Sequence, residues 1–474
     1  MAASTFRLAL RRDPATPIYR QIYRRFRDAI AQGQLAPGDR VPSVRSLASE
    51  LNLARGTVEL AYQILIGEGY LVARGPAGTV VSPQLGGHAD SPAPAPPSRP
   101  HAPAQPEHAA PQPFQVGLPA LDAFPRMQWL RLAGRNLRAM DIAAMNYPDI
   151  NGYEPLRRAI TAYLGISRGI GCSPGQVFIT AGYRGALELI CRTLLHPGDL
   201  GWYEDPGYPH GRSFLEQAGM RLAPVPVDEE GLCVQAGQQL AADARFAVLT
   251  PTHQSPLGCA LTLPRRLDLL EWAAARKAWI IEDDYDSEFR YHGRPLPALK
   301  SLDRDGRVLY TGTFSKVLYP GLRLAYLVVP EEQIPAFQAT AAWLGLSSPT
   351  LLQATVADFM EQGHFARHLK KMRALYADRR AYLTDALAQV FGDALAIPAR
   401  AGGIHVLAYW TRQREDRSLA QAANAQGLAI HALSAWSRRD GTPPGMLLGF
   451  TNLASARQAQ ALAQRLHKAV SRTA

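Results

Sequence analysis

Tyr310-Thr311-Gly312-Thr313-Phe314-Ser315-Lys316-Val317-Leu318-Tyr319-Pro320-Gly321-Leu322-Arg323, running on through the apolar Leu324 to Val329 and closed by Pro330, is the stretch around which the chain is organised. Val308, Leu309 and Tyr310 begin a short strand, Gly312 breaks it, and a second apolar run follows at Leu324. One lysine, Lys316, stands between the two among small and hydroxyl-bearing residues. An ammonium held between buried strands is poorly solvated, which lowers its pKa and frees the amine as a nucleophile. Such an amine forms Schiff bases with carbonyl compounds, above all with pyridoxal 5'-phosphate. Thr313 and Ser315 can donate to a phosphate, and Arg323 adds a fixed planar cation. A lone Ser-Lys beside a strand is more often a surface lysine, so the remaining chain decides the reading.

From Phe114 onward short apolar runs alternate with helical patterns: Val177 to Thr180, Gly201 to Tyr203, Phe246 to Thr250, Trp279 to Glu282, Val308 to Tyr310 and Leu324 to Val329. This alternation predicts an α/β fold with a mainly parallel sheet, whose ligands sit at the carboxyl ends of the strands. After the first run, Gly182 opens a helix at Tyr183-Arg184, and the backbone N–H groups of such a turn suit a phosphate. After Trp279 to Glu282 come Asp283, Asp284 and Tyr285. A carboxylate there can pair with a protonated pyridine nitrogen, and a tyrosine two residues on can hydrogen-bond the ring oxygen. Within Glu204-Asp205-Pro206-Gly207-Tyr208-Pro209, Tyr208 offers a flat face for ring stacking. Each is ordinary turn chemistry alone. Together, at strand ends and ahead of Lys316, they describe one site.

The first 85 residues hold eleven arginines and no lysine against six acidic residues, a net charge of +5 within the chain's +11. Ile18, Ile22, Phe26 and Ile30 recur every four residues behind Pro17 as the stripe of a first helix. Ser43 is placed to cap a second, with Val44, Leu47 and Leu51 inward, and a third carries Val58, Ala61, Tyr62 and Leu65. Gly69 to Val72 and Gly78 to Val81 then form two strands joined by Arg74-Gly75-Pro76-Ala77. This is a winged helix-turn-helix pattern, whose third helix would present Arg55-Gly56-Thr57 to the major groove. From Ser82 to Pro113 the sequence is mostly Pro, Ala, Ser, His and Gln, which builds no core and predicts a semi-extended linker.

The chain is too long for one ordinary core, and no apolar run approaches the roughly 18 residues of a membrane span. Its start has no signal-peptide core, and Cys172, Cys191, Cys233 and Cys259 lack paired spacing, so neither a metal nor a disulfide framework is suggested. A cytoplasmic protein is expected.

Two resemblances follow. Gly38-Asp39-Arg40-Val41-Pro42-Ser43-Val44-Arg45-Ser46-Leu47-Ala48, with Arg55-Gly56-Thr57-Val58 and Glu68-Gly69-Tyr70-Leu71, resembles the GntR family of bacterial transcription regulators. The resemblance implies DNA contacts from Arg40, Ser43, Arg45, Arg55 and Thr57, with the wing glycine Gly78 near the minor groove. The large domain resembles fold-type I aminotransferases through Glu204 to Pro209, Thr250-Pro251-Thr252-His253-Gln254-Ser255-Pro256, Glu282 to Tyr291 and Gly312 to Lys316. The chain as a whole thus resembles the MocR subfamily, which joins both parts. This implies three segments: a DNA-binding domain over 14–82, a linker over 83–113 and a cofactor-binding, dimerising domain over 114–474. Lys316 becomes the Schiff-base lysine, Asp283 the pyridine partner, Tyr285 the ring-oxygen partner and Tyr208 the stacking ring. Gly182, Tyr183, Arg184, Thr313, Ser315 and Arg323 surround the phosphate, and Tyr147 reaches the phosphate of the neighbouring subunit. MocR proteins are typically dimers in which each DNA-binding domain crosses to the other chain.

The sequence departs from the family pattern in three places. Gly56 stands where an asparagine or similar side chain is usual, and Tyr183-Arg184 replace a small residue and a glutamine. The arginine that anchors a substrate carboxylate in aminotransferases falls near Leu447, and Leu428-Ala429-Ile430-His431 also lacks one. Three readings follow: a regulator sensing the cofactor or an amine or amino-acid effector, a working aminotransferase with an accessory DNA-binding module, and a regulator whose large domain only dimerises. Intact Lys316, Asp283 and Tyr285 weigh against the last. The missing arginine weighs against the second, because an amino-acid substrate would lack its bidentate anchor.

Overall fold

The computed structural model describes residues 16–88, 110–291, 293, 296–345 and 348–471. Most of the expected linker lies outside them. The chain divides into two compact units, Met1–Glu107 and His108–Ala474.

In the first unit, α1 (Ile18–Ala31), α2 (Val44–Glu50) and α3 (Arg55–Gly67) pack beside a three-stranded antiparallel wing. Its strands are β1 (Arg40–Val41), β2 (Leu71–Ala73) and β3 (Thr79–Val81), in the order β1-β3-β2. Val58, Ala61, Tyr62 and Leu65 are the buried face of α3, as their spacing predicts. In α1 the fours hold only at Ile22 and Phe26; Ile18 is exposed and Ala29 is buried instead. A strict repeat of four drifts against a 3.6-residue turn, so it leaves the core within a few turns. The Ser43 hydroxyl caps α2 by accepting from Ser46 N at 3.1 Å, and the Tyr62 hydroxyl donates to Pro42 O at 2.8 Å, tying α3 to the entry of α2.

The second unit is built on eight strands: β4 (Val177–Thr180), β5 (Leu200–Asp205), β6 (Arg221–Asp228), β7 (Gly231–Leu232), β8 (Phe246–Leu249), β9 (Trp279–Asp284), β10 (Val308–Thr313) and β11 (Ala325–Val328). Their spatial order is β4-β11-β10-β9-β8-β5-β6-β7. The neighbours from β10 to β6 run parallel, whereas β11 is antiparallel to both β10 and β4. The carboxyl ends of β4, β5, β8, β9 and β10 therefore share one edge. Alternate residues serve opposite cores. Phe178, Leu309 and Leu327 join one, while Val177, Ile179, Tyr310, Tyr326 and Val328 join the other. Strands covered on both faces read as continuous apolar runs, which is why they were legible. Strand β6 was not, since Pro224 and Pro226 hide it. Both are tolerated because its outer neighbour β7 pairs only with Val227 and Asp228.

Helices α4 (Arg126–Ala139), α5 (Glu154–Arg168), α6 (Tyr183–Leu194) and α7 (Pro209–Gln217) belong to this unit. A 28-residue helix, His364–Phe391, leads to a smaller antiparallel sheet of β12 (Leu395–Ala396), β13 (His405–Trp410), β14 (His431–Ala432) and β15 (Gly445–Gly449), ordered β12-β13-β15-β14.

Beneath the shared edge, Arg168 at the end of α5 pairs with Asp284 at 2.7 Å, both almost fully buried. The guanidinium also donates to Thr252 Oγ1 and Leu296 O, and the Tyr310 hydroxyl donates to Asp284 at 2.6 Å. Removing one partner strands the other charge in the interior. Arg168→Leu should cost about 3–5 kcal/mol of stability in denaturant unfolding, and Tyr310→Phe about 1–2 kcal/mol. A loss below about 1 kcal/mol for Arg168→Leu would mean that water reaches the pair.

Candidate functional site

A cavity of about 700 Å³ opens at the carboxyl edge of the large sheet. It is lined by nine of the residues singled out in the sequence: Tyr183, Arg184, Tyr208, Asp283, Tyr285, Thr313, Ser315, Lys316 and Arg323. Lys316 lies in the connection between β10 and β11, and burial lowers its pKa, partly opposed by the charges of Asp283 and Asp286. Its Nζ donates to Gly117 O at 2.7 Å. A Cβ on Gly117, which has φ 79°, would stand 3.0 Å from that nitrogen, so the glycine leaves the amine its space.

Along β9 the side chains alternate. Asp284 turns down to Arg168, and Asp283 lines the cavity. Burial, reinforced by the charge of Asp284, raises the Asp283 carboxyl to about 8. A hydrogen bond from the Tyr183 hydroxyl and the charge of Lys316 pull the other way. Among the described residues Asp283 has no ion pair. It is a carboxylate in want of a cation, which is what a pyridinium N–H supplies. Tyr285 follows it, its hydroxyl 3.1 Å from His253 Nδ1, which also lies 3.0 Å from Asp286 Oδ1.

At the other end of the cavity Gly182 is the N-cap of α6, with φ 84° and ψ 177°. The Arg323 guanidinium lies across it and donates to Ala181 O at 3.1 Å; a Cβ on Gly182 would come within 3.0 Å of that group. The Thr313 hydroxyl accepts from Ser315 N at 3.1 Å, shaping the turn that holds both side chains at the cavity. The unusual Tyr183-Arg184 pair divides its roles. Tyr183 is half-buried against the core beneath α6 and reaches Asp283, while Arg184 is exposed at the cavity wall and adds positive charge.

Tyr147 is not brought to this cavity and is 97% exposed. Gly117, His210, His253, His405 and Trp436 also stand at or beside the cavity, and no spacing in the sequence gives them a role. His405 and Trp436 come from the small C-terminal sheet region, far along the chain, where no local pattern marks them. Leu447 is 1% exposed and packs with Leu407, Leu433 and Trp436.

In the first unit Arg45 and Arg55 are exposed in the first turns of α2 and α3, and Thr57 is half-buried. The structure brings Arg40 and Gly78 together: a Cβ on Gly78, at φ 93°, would meet the Arg40 guanidinium at 2.9 Å. The Cβ of a residue at Gly56 would meet open space, so no packing demand fixes that position.

Residues 18–81 match the bacterial regulatory protein family gntR, and residues 123–437 match aminotransferase class I and II. The probable rhizopine catabolism regulatory protein MocR of Rhizobium meliloti is 36% identical over 460 residues, covering 94% of this chain and 92% of that protein. The chain belongs to the MocR-type subfamily of GntR regulators. A second MocR-type relative, the pyridoxine biosynthesis transcriptional regulator PdxR of Corynebacterium glutamicum, is 33% identical and covers 94% of both chains. Among solved structures, the α-aminoadipate aminotransferase LysN of Thermus thermophilus, complexed with N-(5'-phosphopyridoxyl)-L-leucine, matches with 28% identity and a TM-score of 0.68. It covers 76% of this chain and 91% of that one. Pyridoxal 5'-phosphate is the cofactor of this domain type, and the cavity's amine, carboxylate and anion-binding turn fit it.

Borohydride reduction of the cofactor-loaded protein followed by peptide mapping should mark Lys316. An adduct mainly on another lysine would overturn its assignment. Asp283 gives a second test, in cofactor-free protein. Its folded pKa lies above the unfolded value, so the folded state holds a proton that the unfolded state lacks, and stability falls as pH rises toward about 8. The stability of Asp283→Asn relative to wild type should therefore rise between pH 5 and 8 by up to about 1.4 kcal/mol per pH unit and level off above. A difference independent of pH would refute a proton on Asp283.

Proposed function

We propose that this MocR-type regulator binds operator DNA as a homodimer and switches its DNA affinity when an amine or the cofactor itself occupies the large unit's cavity. One observation carries this reading: a single chain joins an arginine-bearing helix-turn-helix to a cavity that keeps both the lysine and the carboxylate of pyridoxal chemistry. When bound, pyridoxal phosphate supplies an aldehyde that captures amines and a ring that draws electron density from them.

The protein's residues would divide the work. Lys316 offers an amine whose pKa burial lowers, and Asp283 would hold the proton of the ring nitrogen. Tyr208 stacks on the ring, and Tyr285, steadied by His253, meets the ring oxygen. The turn at Gly182, through the N–H groups of Tyr183 and Arg184 that open α6, with the side chains of Thr313, Ser315, Arg184 and Arg323, would hold the phosphate. In the first unit Arg40, Ser43, Arg45, Arg55 and Thr57 would contact DNA, with Gly78 letting Arg40 lie across the wing.

A second copy would complete the site. Met127, Leu130 and Leu137 form an exposed apolar stripe on α4, continued by Ile142, 89% exposed, Met145 and Tyr147. A patch of that kind marks a protein interface, and a self-complementary one would carry Tyr147 toward the partner's phosphate. Exchange of the DNA-binding domains between copies, and residence in the cytoplasm, belong to the same reading.

Regulation rather than turnover is favoured by Leu447. The place where an amino-acid carboxylate would be anchored is aliphatic and buried, so such substrates would lack orientation. Occupancy alters DNA affinity only through differential binding to two arrangements, and typical couplings are about 1–3 kcal/mol.

Operator affinity should therefore change about 5- to 150-fold on loading with pyridoxal phosphate or an amine, and Lys316→Ala should abolish the response. Arg45→Ala and Arg55→Ala should weaken binding, and the affinity should fall steeply with salt as phosphate contacts release counterions. The full chain should sediment as a dimer. Steady transamination near the enzyme median of about 10 per second, with DNA affinity indifferent to cofactor and amine, would show an enzyme carrying a DNA tether.

A further inference from the structure

We infer that the effector taken by this cavity is a primary amine that carries an uncharged ring and no carboxylate. The inference rests on the reading of the cavity as an amine sensor and narrows it to a chemical class. Four rings form a continuous aromatic wall. His210 and Tyr208 are 5.4 Å apart at 71°, Tyr208 and Trp436 are 6.1 Å apart at 50°, and Trp436 and His431 are 6.0 Å apart at 54°. All four line the cavity that contains the Lys316 amine. With the Tyr208 face given to the cofactor ring, Trp436 and the two imidazoles bound the remaining space. Edge-to-face and tilted spacings of this kind favour a further flat ring.

The charge of this wall excludes the alternatives. Burial and the neighbouring charges of Arg184 and Lys316 lower the His210 pKa, and burial with His210 lowers that of His431, so both imidazoles are neutral near pH 7. Behind Trp436 the wall is aliphatic, with Leu407, Leu433 and the buried Leu447. Two guanidiniums line the cavity: Arg323, which reaches from the β10–β11 connection across Gly182, and Arg184 in the first turn of α6. A carboxylate seated at the Trp436 and His431 end of the wall would surrender its hydration to neutral groups, and so would a second ammonium. A neutral ring meets neither penalty, so the wall selects by rejecting charge as much as by stacking.

The test uses matched probes on the full-length, cofactor-loaded dimer: phenethylamine, phenylalanine and butylamine, titrated while the cofactor absorbance and operator affinity are followed in the same samples. Phenethylamine should reach half-maximal effect at a concentration at least about tenfold below either of the others, a difference of about 1.4 kcal/mol. His431→Arg should shift the preference toward phenylalanine by restoring a carboxylate partner at the cavity wall. Phenylalanine binding as tightly as phenethylamine in the wild type, or no absorbance response to phenethylamine, would overturn the inference. The two readings fail differently. An absorbance preference for phenethylamine with unmoved operator affinity sinks the sensing function and upholds the site, whereas operator affinity that answers to phenylalanine alone sinks the site and upholds sensing.

Discussion

One buried ion pair, Arg168 with Asp284, governs the geometry of everything above it. The end of β9 carries three acidic residues in succession, and each must be satisfied separately in an interior that penalises charge. Glu282 accepts from the backbone N–H groups of Leu299 and Lys300. Asp284 is held by Arg168 and Tyr310 on one face of the sheet. Since a strand turns successive side chains to opposite faces, that pairing commits Asp283 to the cavity. Strand β10 lies in register beside it, Thr311 against Asp283 and Gly312 against Asp284, so the connection carrying Lys316 leaves the sheet at the same level. Carboxylate and amine reach one cavity because their strands are level, although 33 positions separate them in sequence.

Much of this was legible in the sequence because the large sheet is covered on both faces. Its strands are unbroken apolar runs, and function sits where each run stops. The same rule explains the omissions. Strand β6 carries two prolines, and β1 is too short to show a period. Trp436 and His405 enter the cavity from another sheet, by tertiary contact alone. Tyr183 was visible as an anomaly, and its two parts, a ring in the core and a hydroxyl at Asp283, needed coordinates to separate. In the first unit the start and the inward face of α3 were legible, whereas the stripe of α1 was not, since a spacing of four leaves the inward face.

The comparison with aminotransferases is instructive for what the scaffold holds constant. On the proposed reading the sheet, the turn at Gly182 and Lys316 serve the capture of a cofactor, and nothing in them dictates turnover. Release, reorientation and repeated chemistry depend on the far wall, where this chain has Leu447 and aromatic rings in place of a fixed cation. If the proposed function holds, this fold keeps the recognition half of an enzyme while the surface that would orient a substrate serves selectivity.

The aromatic wall also spans two layers. Tyr208 and His210 belong to the loop and helix leaving β5, and His431 and Trp436 to the region of the small sheet. Beside them one cluster of hydrogen bonds ties the layers together, and further ties run from His405 to Pro256 O and from Gly403 N to Phe289 O. Asp205 accepts from Ser437 Oγ and from the backbone N–H groups of Arg438 and Arg439, and Gly207 N and Arg212 both donate to Trp436 O. A guest held against this wall therefore touches both layers at once, and the fit between them, not either layer alone, decides how well it is held.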